Sequence, residues 1–178
     1  MMNELKYIFS NVNEWLKFSE AKNIALLTVN GASFFVVLQV LNSELKLSVS
    51  IVKCLWLLSF LLIISMYFHF WALIPNIKTP RSKRGTNGAD QSNLYFFGDI
   101  SKYTAPNYLT AIRQKYLNET VTSFQADEID LANQIIVNSQ ITYWKNVRCK
   151  YGLYVTLTGF IILAITILVN LILDVTGW

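Results

Sequence analysis

"YVTLTGFIILAITILVNLIL", residues 154 to 173, runs for twenty residues without a charge. A helix needs roughly 20 apolar residues to cross the bilayer core, so this stretch predicts a membrane span. Two further segments also meet that length: "NIALLTVNGASFFVVLQVL" (23 to 41) and "KCLWLLSFLLIISMYFHFWALI" (53 to 74). The whole chain of 178 residues is 53% hydrophobic, with a mean hydropathy of +0.38. That is too apolar for an ordinary soluble domain. Residues 1 to 22 alternate charged and apolar groups and lack an apolar core and small-residue cleavage site, so no secretory signal is expected and the first span is read as the targeting element.

Lys and Arg set the expected topology. Lys6, Lys17 and Lys22 precede the first span, and ten more basic residues lie between 75 and 153. The 42–52 loop holds only Lys46, and the tail after Leu173 holds none. The positive-inside rule therefore predicts a cytoplasmic amino terminus and a cytoplasmic 75–153 segment. Lys53 is expected to snorkel at the outer end of the second span and Trp178 to act as an outer aromatic anchor.

The amino-terminal stretch places Leu5, Ile8, Phe9, Val12, Trp15, Leu16 and Phe18 near helical spacing. It reads as an amphipathic helix, either lying in the membrane interface or, the favoured reading, running without Gly or Pro straight into the first span. After Pro75 comes "NIKTPRSKRGTNGADQSN", a predicted loop whose Lys78, Arg81, Lys83 and Arg84 read as a topology signal touching anionic lipid, or else as a contact to a ligand phosphate. "APNYLTAIRQKYLNE" predicts a short helix with Pro106 in its first turn. Asp127, Glu128 and Asp130 open a last helix with no Pro down to Leu173. One helix is expected there, rising roughly 70 Å at 1.5 Å per residue. The three acids are explained by the macrodipole, and no metal site is expected.

The predicted fold is thus an all-α membrane protein: three transmembrane helices with a small cytoplasmic helical region formed by helix extensions and an insertion between spans 2 and 3. The expected segments are 1–22 (cytoplasmic amphipathic helix), 23–41, 53–74 and 154–173 (spans), 42–52 (outer loop), 75–153 (cytoplasmic segment, with a loop at 75–93) and 174–178 (outer tail). Within the insertion, "NLYFFGDI" at 93–100 sets Tyr95, Phe96 and Phe97 side by side in the most polar part of the chain. Such a run is expected to be covered, by the amino-terminal helix on one side and by Ile129, Ala132, Ile135, Ile136, Tyr143 and Val147 on the other. Gly98 is expected to turn the chain, and Asp99 to cap or pair locally.

Little in the chain suggests catalysis. It carries no phosphate loop, no G-x-S-x-G, no H-E-x-x-H and one histidine, His69. His69 lies in the second span and reads as a neutral side chain bonded to a neighbouring helix, or as a pH-sensing or ion-pathway group. Cys54 and Cys149 are too few and too scattered for a disulfide framework or a metal site and read as reduced packing residues. "TVNGAS" in the first span concentrates small and polar residues, among them Asn30, Gly31 and Ser33. These suit close helix approach, within one chain or between copies lining a pore.

Three stretches carry a family resemblance: "SEAKNIALLTVNGA", "NLYFFGDI" and "DLANQIIVNSQITYWK". With them the chain resembles the Pycsar transmembrane effectors of bacterial cyclic-nucleotide anti-phage systems. The resemblance implies a cytoplasmic sensor and membrane executioner in the bacterial inner membrane. A companion cyclase would make a cyclic pyrimidine nucleotide (cUMP or cCMP), and a homo-oligomer of the effector would form a pore or disrupt the bilayer, causing abortive infection. The motif residues map to Lys22, Asn93, Phe96, Phe97, Gly98, Asp99, Asp130, Gln134, Ser139 and Lys145. Tyr95 and Phe96 are of the type that stacks a base, Asn93 and Gln134 suit base edges, and Lys22 and Lys145 suit a phosphate. The familiar glycine- and arginine-bearing phosphate cassette of cyclic-nucleotide-binding domains is missing. No resident cofactor and no nucleic-acid partner is expected. The rival reading is a non-enzymatic scaffold or assembly subunit that binds a cytoplasmic partner.

Overall fold

The computed structural model describes residues 1–74, 93–118 and 123–176. Its elements are helices α1 (Met2–Leu41), α2 (Val49–Leu73), α3 (Phe97–Ile100) and α4 (Ala105–Ile112), a π-helical turn (Arg113–Leu117), and α5 (Ala126–Thr176). No strand occurs among the described residues. Three helices, α1, α2 and α5, are long and apolar enough to cross a membrane. Lys78, Arg81, Lys83, Arg84 and Trp178 lie outside the described residues.

Helix α1 is continuous over 40 residues because nothing in it breaks the hydrogen-bond ladder and its one glycine, Gly31, falls inside an apolar run. Helix α5 extends for 51 residues, about 76 Å at the usual rise. Helix α2 begins at Val49, four residues ahead of Lys53, because Ser48 caps it: the Ser48 hydroxyl accepts from the Ile51 N–H at 3.3 Å. Lys53 thus sits exposed one turn inside the helix. The helix expected over "APNYLTAIRQKYLNE" is shorter than its pattern. It keeps Pro106 in the first turn but gives way at Arg113 to the π-helical turn, which Asn118 ends at φ 52°. Asn tolerates this left-handed conformation better than most residues.

The chain divides into two compact units: Met1–Glu20 with Pro75–Asn146, and Ala21–Ile74 with Val147–Trp178. The first has its own core, built from Leu5, Ile8 and Val12 of α1, Tyr108, Leu109 and Ile112 of α4, and Ala132, Ile135 and Ile136 of α5, closed by Leu94, Ile100 and Tyr103. The buried Tyr108 ring satisfies its hydroxyl by donating to the Leu94 carbonyl at 2.8 Å.

In the second unit a buried stripe of α2 runs through Leu55, Leu58, Leu62, Ser65, His69 and Ala72 in alternating steps of three and four, with Cys54 and Ser59 buried beside it. This is the period of helices that pack along one seam. The facing positions are Asn23, Asn30 and Val37, seven apart on α1, and Cys149, Gly152, Thr156 and Gly159 on α5. Polar groups on the seam pair with one another. Asn30 Nδ2 donates to Ser65 Oγ at 2.8 Å, Ser65 donates to the Gly152 carbonyl at 2.8 Å, and Thr156 donates to Asn30 Oδ1 at 3.0 Å. One layer away, His69 Nδ1 donates to Asn23 Oδ1 at 2.9 Å. The ring fits because residue 152 is glycine; a Cβ there would stand 2.7 Å from His69 Nε2. Gly31, by contrast, has nothing within 4 Å of where its Cβ would be. Close approach between helices of one chain therefore does not explain that glycine. Ser33 lines an apolar cavity of about 620 Å³ between the spans, with Val36, Leu55, Leu58, Phe160 and Leu163 among its walls.

Candidate signal-sensing site

The 93–100 motif is a knot of local bonds. Asn93 Oδ1 accepts from the Tyr95 N–H at 3.0 Å, and the Asn93 carbonyl accepts from the Phe96 N–H at 3.0 Å, which together fold residues 93–96 into a turn. The chain then enters α3. Asp99 closes the knot: its Oδ2 accepts from the Asn93 N–H at 3.1 Å, and its Oδ1 pairs with Lys102 Nζ at 2.7 Å. The hydrogen bond from Lys102 holds the Asp99 carboxyl below its usual range, helped by the Asn93 N–H and opposed by partial burial.

The three aromatics part ways. Phe97 is buried and stacks at 5.7 Å on Trp15, while Phe96 rests 4.6 Å from Phe97 and is 44% exposed. Tyr95 is half-buried; its hydroxyl hydrogen-bonds to Glu4, and its carbonyl accepts from Asn11 Nδ2 at 3.4 Å. The bond to Glu4 favours the neutral phenol and, with burial, pushes the Tyr95 pKa up to about 12. α1 therefore does hold the motif down, but Phe96 escapes cover. Tyr143, expected opposite, is 41% exposed. Gly98 does not turn the chain. It lies inside α3, and the space a Cβ would fill is taken by the Phe96 ring, 2.5 Å away at Cε1.

The other candidates lie on α1, α2 and α5. Asp130 and Gln134 lie one turn apart on the exposed face of α5. Ser139 and Lys145 are buried within the same helix. Lys22 belongs to the second unit, as do Asn30, Gly31, Ser33 and His69. Among the described residues no group of His, Cys, Asp or Glu could hold a metal ion.

The structure adds polar contacts with no local sign in the sequence, because each joins residues far apart in the chain. Lys145 Nζ pairs with Glu20 at 2.8 Å, Asn146 donates to Ser19 at 2.6 Å, Asn138 to Asn13 at 2.7 Å and Gln140 to the Ser101 carbonyl at 3.0 Å. Ser139 Oγ and Gln140 Oε1 are buried without a hydrogen-bond partner among the described residues. Glu128 is more than a dipole-facing acid. It is buried, bonds Arg113 at 3.2 Å, and accepts from the Gln125 N–H at 3.2 Å. Arg113 in turn lies 4.9 Å over the Phe124 ring. The signal available in advance was charge at a seam position: Glu128 stands four residues before Ala132, on the stripe that continues through Ile135 and Ser139.

Comparison with curated proteins and with solved structures returned no match. A family model described as the Pycsar effector protein domain matches residues 4–172, which takes in the first two predicted spans, the 93–100 motif and all but the last residue of the third span. The chain therefore belongs to the Pycsar effector family, membrane effectors of cyclic-nucleotide-linked anti-phage defence.

Proposed function

We propose that this protein is a homo-oligomeric effector of the bacterial inner membrane, amino terminus in the cytoplasm. A cyclic pyrimidine nucleotide made by a companion cyclase activates it, and it then impairs the membrane and aborts infection. The observation that carries this reading is helix continuity: α1 and α5 each supply core residues to the unit holding the motif and also form a span. A ligand that repacks Leu5, Ile8 and Val12 against the insertion acts on a helix that goes on to bear Asn30 and Val37. The spans support the second half. Phe35, Phe60, Ile165 and Leu168 expose apolar surface suited to lipid or to further copies, while the Asn30, Ser65 and Thr156 polar layer is closed within one copy. A pore needs that layer, or a similar one, to open toward water.

The family is not a known enzyme family. The candidate sensing residues are the motif side chains Asn93, Tyr95, Phe96, Phe97, Gly98 and Asp99, with Lys22, Asp130, Gln134, Ser139 and Lys145 as further positions where substitution should alter the response. The test is dye entry and depolarisation in cells expressing the protein when cUMP or cCMP is supplied. Leakage on nucleotide addition is the expected result. An intact membrane at saturating nucleotide, with protein inserted, would favour the scaffold reading instead.

A further inference from the structure

Trp15 and Phe18 were expected to share the buried face of the amino-terminal helix, yet they are 40% and 53% exposed. They line a groove of about 300 Å³ on α1 together with Asn11 and Glu14. The groove adjoins the motif, since Trp15 stacks on Phe97 and Asn11 donates to the Tyr95 carbonyl. Phe18 lies 6.2 Å from Trp15 and Phe96 lies 4.6 Å from Phe97, so the aromatic surface runs from α1 onto the motif.

We infer that this groove seats the base of the activating nucleotide and that it prefers a base with an exocyclic amino group, cytosine over uracil. The inference rests on the nucleotide-responsive reading above. A volume of about 300 Å³ is at the small end of ligand sites, suited to one heterocycle. Exposed aromatics beside an amide and a carboxylate form the arrangement that stacks an unpaired base and bonds its edge.

Among the described residues that line the groove Glu14 is the charged one, a carboxylate, and it selects the base. Ionised Glu14 only accepts. Cytosine offers an N4 amino donor where uracil, like thymine, offers a carbonyl acceptor. The cyclic phosphate then lies away from Glu14, at the open mouth of the groove.

The experiment is titration of the full-length protein in nanodiscs with cCMP, cUMP and cyclic AMP, paired with dye release from vesicles holding the same variants. The wild type should bind cCMP at least about fivefold tighter than cUMP, the low end of one specific base contact. Glu14→Gln, whose amide can donate to a carbonyl, should erase or invert that ratio. Trp15→Leu should weaken both pyrimidine nucleotides about tenfold, a typical stacking loss, while Trp15→Phe keeps most of the affinity and checks that the fold is intact. A cCMP-to-cUMP ratio unmoved by Glu14→Gln, or wild-type affinity in Trp15→Leu, would overturn the groove assignment. So would Trp15 fluorescence that responds to anionic vesicles and not to nucleotide. If those variants still leak on nucleotide, the groove assignment fails while the effector reading stands; if the wild type neither binds nor leaks, the effector reading fails and the groove with it.

Discussion

At the residue scale, two glycines beside aromatic rings have opposite prospects. A Cβ on Gly98 meets the Phe96 ring, which is 44% exposed and can swing into water. Gly98→Ala should therefore change stability by no more than ~1 kcal/mol, the helix-propensity gain offsetting the displaced ring. A Cβ on Gly152 meets the His69 ring, fully buried and fixed by Asn23. Gly152→Ala should cost ~1–3 kcal/mol as an overpacked site; denaturation of both variants in micelles checks the contrast. Asp99→Asn keeps the shape of the motif but loses the charge that Lys102 pairs with. It should abolish nucleotide-triggered leakage while insertion remains normal, and a wild-type response from it would strip the motif of a sensing role. The pH dependence follows from the two shifted groups. The Asp99 carboxyl lies below its ordinary value, so its contribution is complete above that value and is lost as pH falls through the lowered one. Tyr95 is raised to about 12, so the neutral phenol's contribution is complete below the ordinary tyrosine value and is lost as pH rises through about 12. Ultraviolet titration of wild type against Tyr95→Phe should remove one tyrosine with a midpoint near about 12. The motif should thus be insensitive to pH across the neutral range.

At the element scale, α5 is anchored where it begins. Arg113 and Glu128 have side chains only 12% and 9% exposed, and they tie the π-helical turn to the first turn of α5. Arg113→Met should destabilise the first unit by ~3–5 kcal/mol, because a buried carboxylate loses its partner. The double variant with Glu128→Gln should recover much of that, since no charge is then stranded; a double-mutant cycle measures it. In the second unit, Asn30→Leu breaks bonds to Ser65 and Thr156. Interhelical bonds in membranes are worth less than their burial suggests, so a loss of ~0.6–2 kcal/mol is expected, measurable by unfolding in bicelles. The helices themselves were legible in advance, because periodic apolar runs without Pro leave the backbone no better way to satisfy its polar groups in lipid. Their ends were less so. The start of α2 depended on the Ser48 cap and the end of α4 on Asn118, single-residue effects that lie outside any apolar repeat.

At the scale of the whole molecule, the charge asymmetry predicts orientation. In a protein lacking Cys54 and Cys149, both buried, a cysteine placed at Ser43 should label from outside the cell, and one placed at Asn93 only after the membrane is opened. The reverse pattern would invert the topology. The sequence by itself determined the class of the molecule: three spans, long helices and a polar insertion, because length, hydropathy and periodicity are local properties summed along the chain. It also marked the 93–100 motif as one that needs cover. Tertiary structure alone decided which side chains serve the core and which face outward. Trp15 and Phe18 share the helical spacing of Leu5, Ile8 and Val12, yet only the latter three are buried in the core of the first unit, while Trp15 touches the insertion through Phe97 alone and stays 40% exposed. The pairs Glu20 with Lys145, Ser19 with Asn146 and Asn23 with His69 join residues 125, 127 and 46 apart. Hydrogen bonds and ion pairs act over a few ångströms in space, so no spacing along the chain could have announced them.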